Sequence, residues 1–356
     1  MRIQRREEFF LTIDLDNEME RWKNFISSLN DNEIRTGFTP RVAVWKKNKA
    51  TLWCYPASEK KYRTPLFMVY SLVNEPYILD LQPGISAIES FVNNGFDVYL
   101  LDFGIPDYED KDLSIADYIL SYIKEAARQT LKHSGAGDLT VIGYCLGGTL
   151  AAIYASLADE PIRNLILYSA PIDFRHFPLF DEWTKALGKN KIDFDEAIDL
   201  YGLIPASHVE AGIRLLTSPI YYSPYLTLLA KSDDQEYVMK WRRFNKWTKS
   251  YVPFPGAALK DLIHELVKKN KLAKGKLRIN NQKADLKKIK ASVLVISSAF
   301  DRLVPKEQSE SIMKLISSKD KEFRLIQNGH VPLTVKDGML PEVLSDWLPQ
   351  RSNPIL

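Results

Sequence analysis

Cysteine is nearly absent from this chain: Cys54 and Cys145 are the only two among 356 residues. Two thiols make no disulfide framework, which excludes the small stapled secreted folds and points to a reducing compartment. The five histidines (133, 176, 208, 264 and 330) are scattered, with no His-Glu-x-x-His and no Cys/His ligand spacing. No metal site is therefore expected. A large charge of one sign is also missing, and a net charge of +3 is no electrostatic footprint for nucleic acid. Leu66 to Val73 is among the longest apolar runs and is only strand-length, so no transmembrane segment is expected. The polar start, Met1 to Glu8, leads into no long apolar core, so no signal peptide is expected. There is no internal repeat and no low-complexity tract. What is left, 45% hydrophobic and 26% charged residues, is ordinary globular material. The length accommodates one large α/β domain with an insertion, or two domains.

Strand-like and helix-like runs alternate along most of the chain. Val42–Trp45 and Thr51–Tyr55 read as a hairpin across Lys46–Lys49. Leu66–Leu72 reads as a strand buried on both faces. Helical spacing around Ile85–Val92 is followed by a strand over Phe96–Leu101. Ser114 N-caps a long amphipathic helix reaching Leu131. Further strands are expected at Leu139–Ile142, Leu165–Tyr168, Ser292–Ser297 and Phe323–Ile326, with helices from about Lys306 and over Pro341–Leu348. This alternation predicts a mostly parallel central sheet with helices on both faces. It breaks between residues 175 and 290, which read as an inserted, mainly helical cap or lid rich in aromatics such as Trp183, Tyr221, Tyr222 and Trp241. The expected division is an N-terminal helical extension (1–37), a core (38–174 and 291–356) and the cap (175–290). Met19, Trp22, Phe25, Ile26 and Leu29 recur at helical spacing in the extension, read as a helix packed on its own domain, with partner docking as the alternative. Over residues 260–290 Lys and Arg outnumber acids by eleven to three. A solvated basic face accounts for that, with a landing surface for an anionic ligand or acidic partner as the alternative.

The chain is organised around Val141-Ile142-Gly143-Tyr144-Cys145-Leu146-Gly147-Gly148-Thr149. An apolar strand precedes it and a small-residue helix follows, the context of a nucleophile elbow, with Cys145 where Gly-x-Ser-x-Gly has serine. Glycine is required at 143 and 147 because the sharp turn crowds strand against helix. By itself the stretch also reads as a glycine-rich turn with an inert cysteine. Two further residues decide against that. Asp301 and His330 follow Cys145 in the order nucleophile, acid, histidine of an α/β-hydrolase triad, each in a loop after a strand-like run. The thiolate attacks, His330 moves its proton, and Asp301 orients the imidazole. Oxyanion donors are expected at the backbone N–H of Leu146 and, more loosely, of Val73 or Asn74 after the Leu66–Leu72 strand.

At these residues the chain resembles the polyhydroxyalkanoate (PHA) synthases, specifically the short catalytic subunits of the two-subunit classes III and IV. The resemblance is carried by Gly143–Thr149, by Tyr70–Leu81 with Gln82-Pro83-Gly84, by Leu101-Asp102-Phe103-Gly104, by Pro161–Leu165, by Pro253–Gly256 and by Asn270–Gly275. It covers residues 38–349. It implies an α/β-hydrolase fold and polymerisation of (R)-3-hydroxyacyl-CoA into polyester with release of CoA. Cys145 would hold the acyl chain as a thioester, and Asp301 would support His330 or help activate the incoming 3-hydroxyl. No cofactor is implied, CoA being part of the substrate and a product. The resemblance further implies a small accessory subunit of PhaE or PhaR type, a homodimer as an option, and residence at cytoplasmic PHA granules. The chain departs from the family at Arg302, where histidine is frequent, and at Pro332, where small residues follow the catalytic histidine. Phe103 replaces a common tryptophan, and Ser250 replaces an acid. Two alternatives remain: a cysteine-nucleophile hydrolase or thioesterase that uses water, and a weakly active, granule-bound interaction protein.

Overall fold

The computed structural model describes residues 15–29, 34–176, 194–217, 223–330, 335 and 338–355. Strands β1 (Val42–Lys47), β2 (Ala50–Tyr55), β3 (Leu66–Val69), β4 (Val98–Asp102), β5 (Leu139–Tyr144) and β6 (Ile162–Tyr168) precede four two-residue strands. These are β7 (Leu203–Ile204), β8 (Phe254–Pro255), β9 (Arg278–Ile279) and β10 (Gln282–Lys283), followed by β11 (Ser292–Ser298) and β12 (Lys321–Ile326). Eight of them form one sheet in the order β1-β2-β4-β3-β5-β6-β11-β12. From β4 to β12 every pairing is parallel, while β1 and β2 add an antiparallel edge. This is an α/β-hydrolase sheet.

β3 shows why its sequence is a continuous apolar run. Phe67 and Val69 bury into one core and Leu66 and Met68 into the other, so both faces of the strand are covered. The strand stops at Val69, short of the expected Leu72. Tyr70–Leu72 remain buried but leave the sheet as a loop. Apolarity reports burial, and here burial continues after pairing ends. The β1–β2 turn is tighter than expected, because Asn48 takes φ 50° and both strands extend towards it. Asparagine tolerates that left-handed conformation better than most residues.

Ser114 caps its helix as expected. Its Oγ accepts the Asp117 N–H at 3.2 Å while the Asp117 carboxylate accepts the Ser114 N–H at 2.9 Å. After α1 (Leu15–Ser28) and α2 (Ala87–Asn93), the helical rod comprises α3 (Ile115–Asp117), a π-helical stretch Tyr118–Ile123 and α4 (Lys124–Ser134). It ends at Gly135 with φ 66°. α5 (Leu146–Leu157) follows β5 directly.

Between β6 and β11 the described chain is mostly helical: α6 (Phe194–Tyr201), α7 (Ala206–Thr217), α8 (Ser223–Ala230), α9 (Gln235–Trp247) and α10 (Gly256–Asp261). Pairs β7·β8 and β9·β10 punctuate it, each too short to leave an alternating pattern in the sequence. Trp183, Tyr221 and Tyr222 lie outside the described residues. Phe254, Leu266, Leu277 and Leu286 bury into the same core as α5, so the end of this span packs on the sheet. Leu228, Val238 and Trp241 form a separate small cluster, joined by Phe25 from the N-terminal helix Leu15–Ser28. That helix leaves Met19, Trp22 and Ile26 exposed on its other side. Among the described residues no helix is long and apolar enough to cross a membrane.

Candidate active site

Cys145 stands in the β5–α5 turn with φ 52° and ψ −128°. A residue with a Cβ rarely adopts this conformation, and surrounding structure must hold it there. Crowding supplies the hold. A Cβ on Gly143 would lie 2.5 Å from the Gly148 Cα, one on Gly147 2.4 Å from the Val69 and Tyr70 carbonyl oxygens, and one on Gly148 2.5 Å from the Ala170 Cβ. Three glycines are therefore required, one more than the sequence reading assigned. The Cys145 N–H donates to the Tyr168 carbonyl at 2.9 Å, and its carbonyl accepts the Gly148 N–H at 2.8 Å. Leu146 opens α5, so its N–H has no acceptor within the helix.

The structure brings Cys145, Asp301 and His330 together. Asp301 Oδ2 lies 2.7 Å from His330 Nδ1. Asp301 Oδ1 accepts the N–H groups of Leu303 at 3.0 Å and Val304 at 2.8 Å. The carboxylate thus caps its own turn with one oxygen and holds the histidine with the other. Its side chain is fully enclosed, whereas His330 keeps 21% of its side chain exposed. Burial opposes the charged imidazole, but the Cys145 charge, the Asp301 hydrogen bond and a hydrogen bond with Cys145 outweigh it and push His330 up to about 10. With Nδ1 on Asp301, Nε2 is the nitrogen left for Cys145.

Tyr144, unremarked in the sequence, supports this arrangement. Its hydroxyl donates to the His330 backbone carbonyl, and the two rings are 5.7 Å apart. Tyr70, Tyr144 and Tyr168 stack beneath the elbow at 5.4 Å and 5.2 Å. Burial holds the Tyr70 and Tyr144 hydroxyls well above their ordinary range, so both stay neutral. The other cysteine is unlike Cys145. Cys54 is buried in β2, and burial pushes its thiol up, away from reactivity.

The loop after β3 carries Val73 and Asn74, the other expected oxyanion donors. The Val73 N–H is directed at Ser71 Oγ, 3.3 Å away, and its carbonyl accepts the Val252 N–H at 3.1 Å. Asn74 bridges antiparallel to Tyr251. The Glu75 N–H donates to the Ser250 carbonyl at 3.2 Å, and the Trp247 indole N–H donates to the Glu75 carbonyl at 3.1 Å. Tyr77 and Ser250 share a hydroxyl hydrogen bond of 2.6 Å. Trp247 at the end of α9 and the residues up to Val252 thus form a strap that ties down the loop. No local pattern marks the strap, because its partners are backbone atoms distant in the chain. Ser250, one of the departures noted with the resemblance, is part of it. Phe103 packs edge-on against Tyr118 at 5.2 Å, Arg302 is exposed, and Pro332 lies outside the described residues.

Among the described residues one trio could offer metal ligands, Asp107, Glu109 and Asp110. The Lys49 ammonium already sits among them at 2.6, 3.1 and 2.5 Å.

The α/β-hydrolase fold family matches residues 65–337. The chain is 32% identical to the poly(3-hydroxyalkanoate) polymerase subunit PhaC of Haloferax mediterranei over 90% of its own length and 66% of that protein's. It is 30% identical to the same subunit of Allochromatium vinosum, covering 91% and 92% of the two chains. Identity to the Synechocystis subunit is 28%, covering 97% and 93%. The chain belongs to the family of poly(3-hydroxyalkanoate) polymerase PhaC subunits, acyltransferases built on the α/β-hydrolase fold.

Proposed function

We propose that this chain polymerises (R)-3-hydroxyacyl-CoA through an acyl group carried on Cys145. The Cys145 sulfur attacks the thioester carbonyl, and the developing oxyanion is met by the Leu146 N–H and a donor from Val73 or Asn74. The carbon–sulfur bond to CoA breaks, and the departing thiolate takes the proton held by His330. The 3-hydroxyl of a second hydroxyacyl group then attacks the enzyme thioester. His330 takes the hydroxyl proton, an ester forms, and the Cys145 sulfur is released. Exchange between two thioesters is nearly balanced in energy, which suits an enzyme that must hold a chain and pass it on. Of the two roles weighed for Asp301, the 2.7 Å contact with His330 and the turn bonds on its other oxygen favour orienting the imidazole.

The observation that carries this reading is the strained Cys145 of the elbow with the Asp301–His330 pair beside it. Residues 175–290 are assigned the role of a cap that limits water, with the helix Leu15–Ser28 of the extension packed against part of it. CoA enters and leaves as part of the substrate, and no cofactor is invoked. A small accessory subunit of PhaE or PhaR type and residence at cytoplasmic polyester granules complete the proposal. The test supplies purified protein, with and without a candidate small subunit, with (R)-3-hydroxybutyryl-CoA and measures CoA release and polymer together. Polymer with stoichiometric CoA supports the proposal. CoA with free hydroxy acid alone makes the protein a thioesterase, and no turnover in either condition makes it an interaction protein.

A further inference from the structure

A cavity of about 220 Å³ lies between the loop after β3 and the loop after β4, at the C-terminal ends of these strands, and Tyr70 in its lining is close enough to Cys145 to feel its charge. Ser71, Leu72 and Glu75 line one wall, and Asp102, Phe103 and Ile105 line the other. Val252 of the strap closes it. The first wall is the same loop that carries Val73 and Asn74, so a group seated in the cavity lies next to the expected oxyanion donors. The cavity mixes apolar surface with two carboxyl groups. The Glu75 backbone is fixed, because its N–H and carbonyl are both bound by the strap. Its carboxyl is held above the ordinary range by burial and then by the negative charge of Asp102, with Lys246 opposing. Asp102 gives one oxygen to the Gly104 N–H at 3.0 Å. The described residues supply no hydrogen-bond donor to the Glu75 carboxyl.

Such a space is rich in acceptors, negative in sign and walled by carbon. It repels phosphate, so the nucleotide end of CoA has no place in it. It suits a neutral group that offers an O–H on a short carbon skeleton. We propose that this cavity binds the hydroxyacyl end of the substrate, with Glu75 and Asp102 accepting the hydrogen bond of the 3-hydroxyl and Leu72 and Phe103 enclosing the carbon chain. The assignment rests on the polymerase reading of the Cys145 site and adds a specificity device to it. A site built to bind a hydroxyl discriminates against the analogue that lacks it, because the half-buried acceptors are then left less well matched.

The experiment compares single-turnover acylation of Cys145 by (R)-3-hydroxybutyryl-CoA and by butyryl-CoA, read as CoA released and as acyl mass on the protein. The wild type is expected to favour the hydroxy substrate by roughly tenfold or more. Glu75→Gln and Asp102→Asn should bring the two rates within about threefold by slowing the hydroxy substrate alone. An unchanged ratio in both folded variants overturns the cavity assignment and leaves the polymerase reading standing. No acyl-enzyme from either thioester in the wild type overturns both. A measurement without variants stands beside it: methyl (R)-3-hydroxybutyrate should protect wild-type Cys145 from alkylation at a concentration roughly ten times lower than methyl butyrate. Equal protection by the two esters overturns the assignment.

Discussion

On the nucleophile side of the site, residues 139–157 are held by close packing, with Gly143 pressed on Gly148 inside the turn and Gly147 pressed on the Val69 and Tyr70 carbonyl oxygens. On the oxyanion-loop side, residues 73–75 are held by a strap whose Trp247 lies 172 positions from its acceptor on Glu75. The first wall is rigid because its backbone has no room to move. The second is set by a few hydrogen bonds to a helical segment that packs partly on its own small cluster. The difference teaches where the site is fixed and where it can be retuned. On the proposed function the nucleophile and the Leu146 donor belong to the crowded wall, and the second donor and the substrate fit belong to the tied one.

Breaking the crowded wall should have the largest effect. Gly147→Ala drives a methyl into two carbonyl oxygens 2.4 Å away and is expected to cost on the order of 3–5 kcal/mol. Urea unfolding of the variant against wild type measures it, and an unchanged midpoint would show that the wall yields.

The His330 linkage sharpens the same wall. With a native value of about 10 against 6.5 as the reference, imidazolium-linked stabilisation is fully present below about pH 6.5 and is lost as the pH rises towards 10. Thermal unfolding from pH 6 to 10 should therefore show wild type losing its advantage over His330→Gln across that window. A constant difference between the two would remove the linkage.

Trp247→Phe tests the tied wall. It deletes the indole N–H given to Glu75 while keeping an aromatic ring in the core. The expected loss is about 1 kcal/mol of stability and roughly tenfold in kcat through misplaced donors, with little change in KM. A rise in KM at constant kcat would mean that the strap shapes substrate binding alone.

The same contrast explains what could be read from the sequence. The elbow, the order of Cys145, Asp301 and His330, the alternating strands and the Ser114 cap all write themselves into local patterns of residue type. The strap does not, since Val73, Asn74 and Glu75 are bound through backbone atoms that any residue offers. The end of β3 was also hidden, because Tyr70–Leu72 are as buried in the loop as they would be in a strand. Tyr144 carries no sequence signal of its role, and only the fold shows its hydroxyl on the His330 carbonyl.

The central claim is that Cys145 carries the acyl chain. Mass spectrometry of the protein quenched during turnover of (R)-3-hydroxybutyryl-CoA tests it most directly. The expected result is hydroxyacyl mass on the peptide bearing Cys145, released by hydroxylamine and absent from Cys145→Ala, which makes no polymer. Polymer made by Cys145→Ala, or an acyl group found elsewhere on the wild-type chain, would contradict the account.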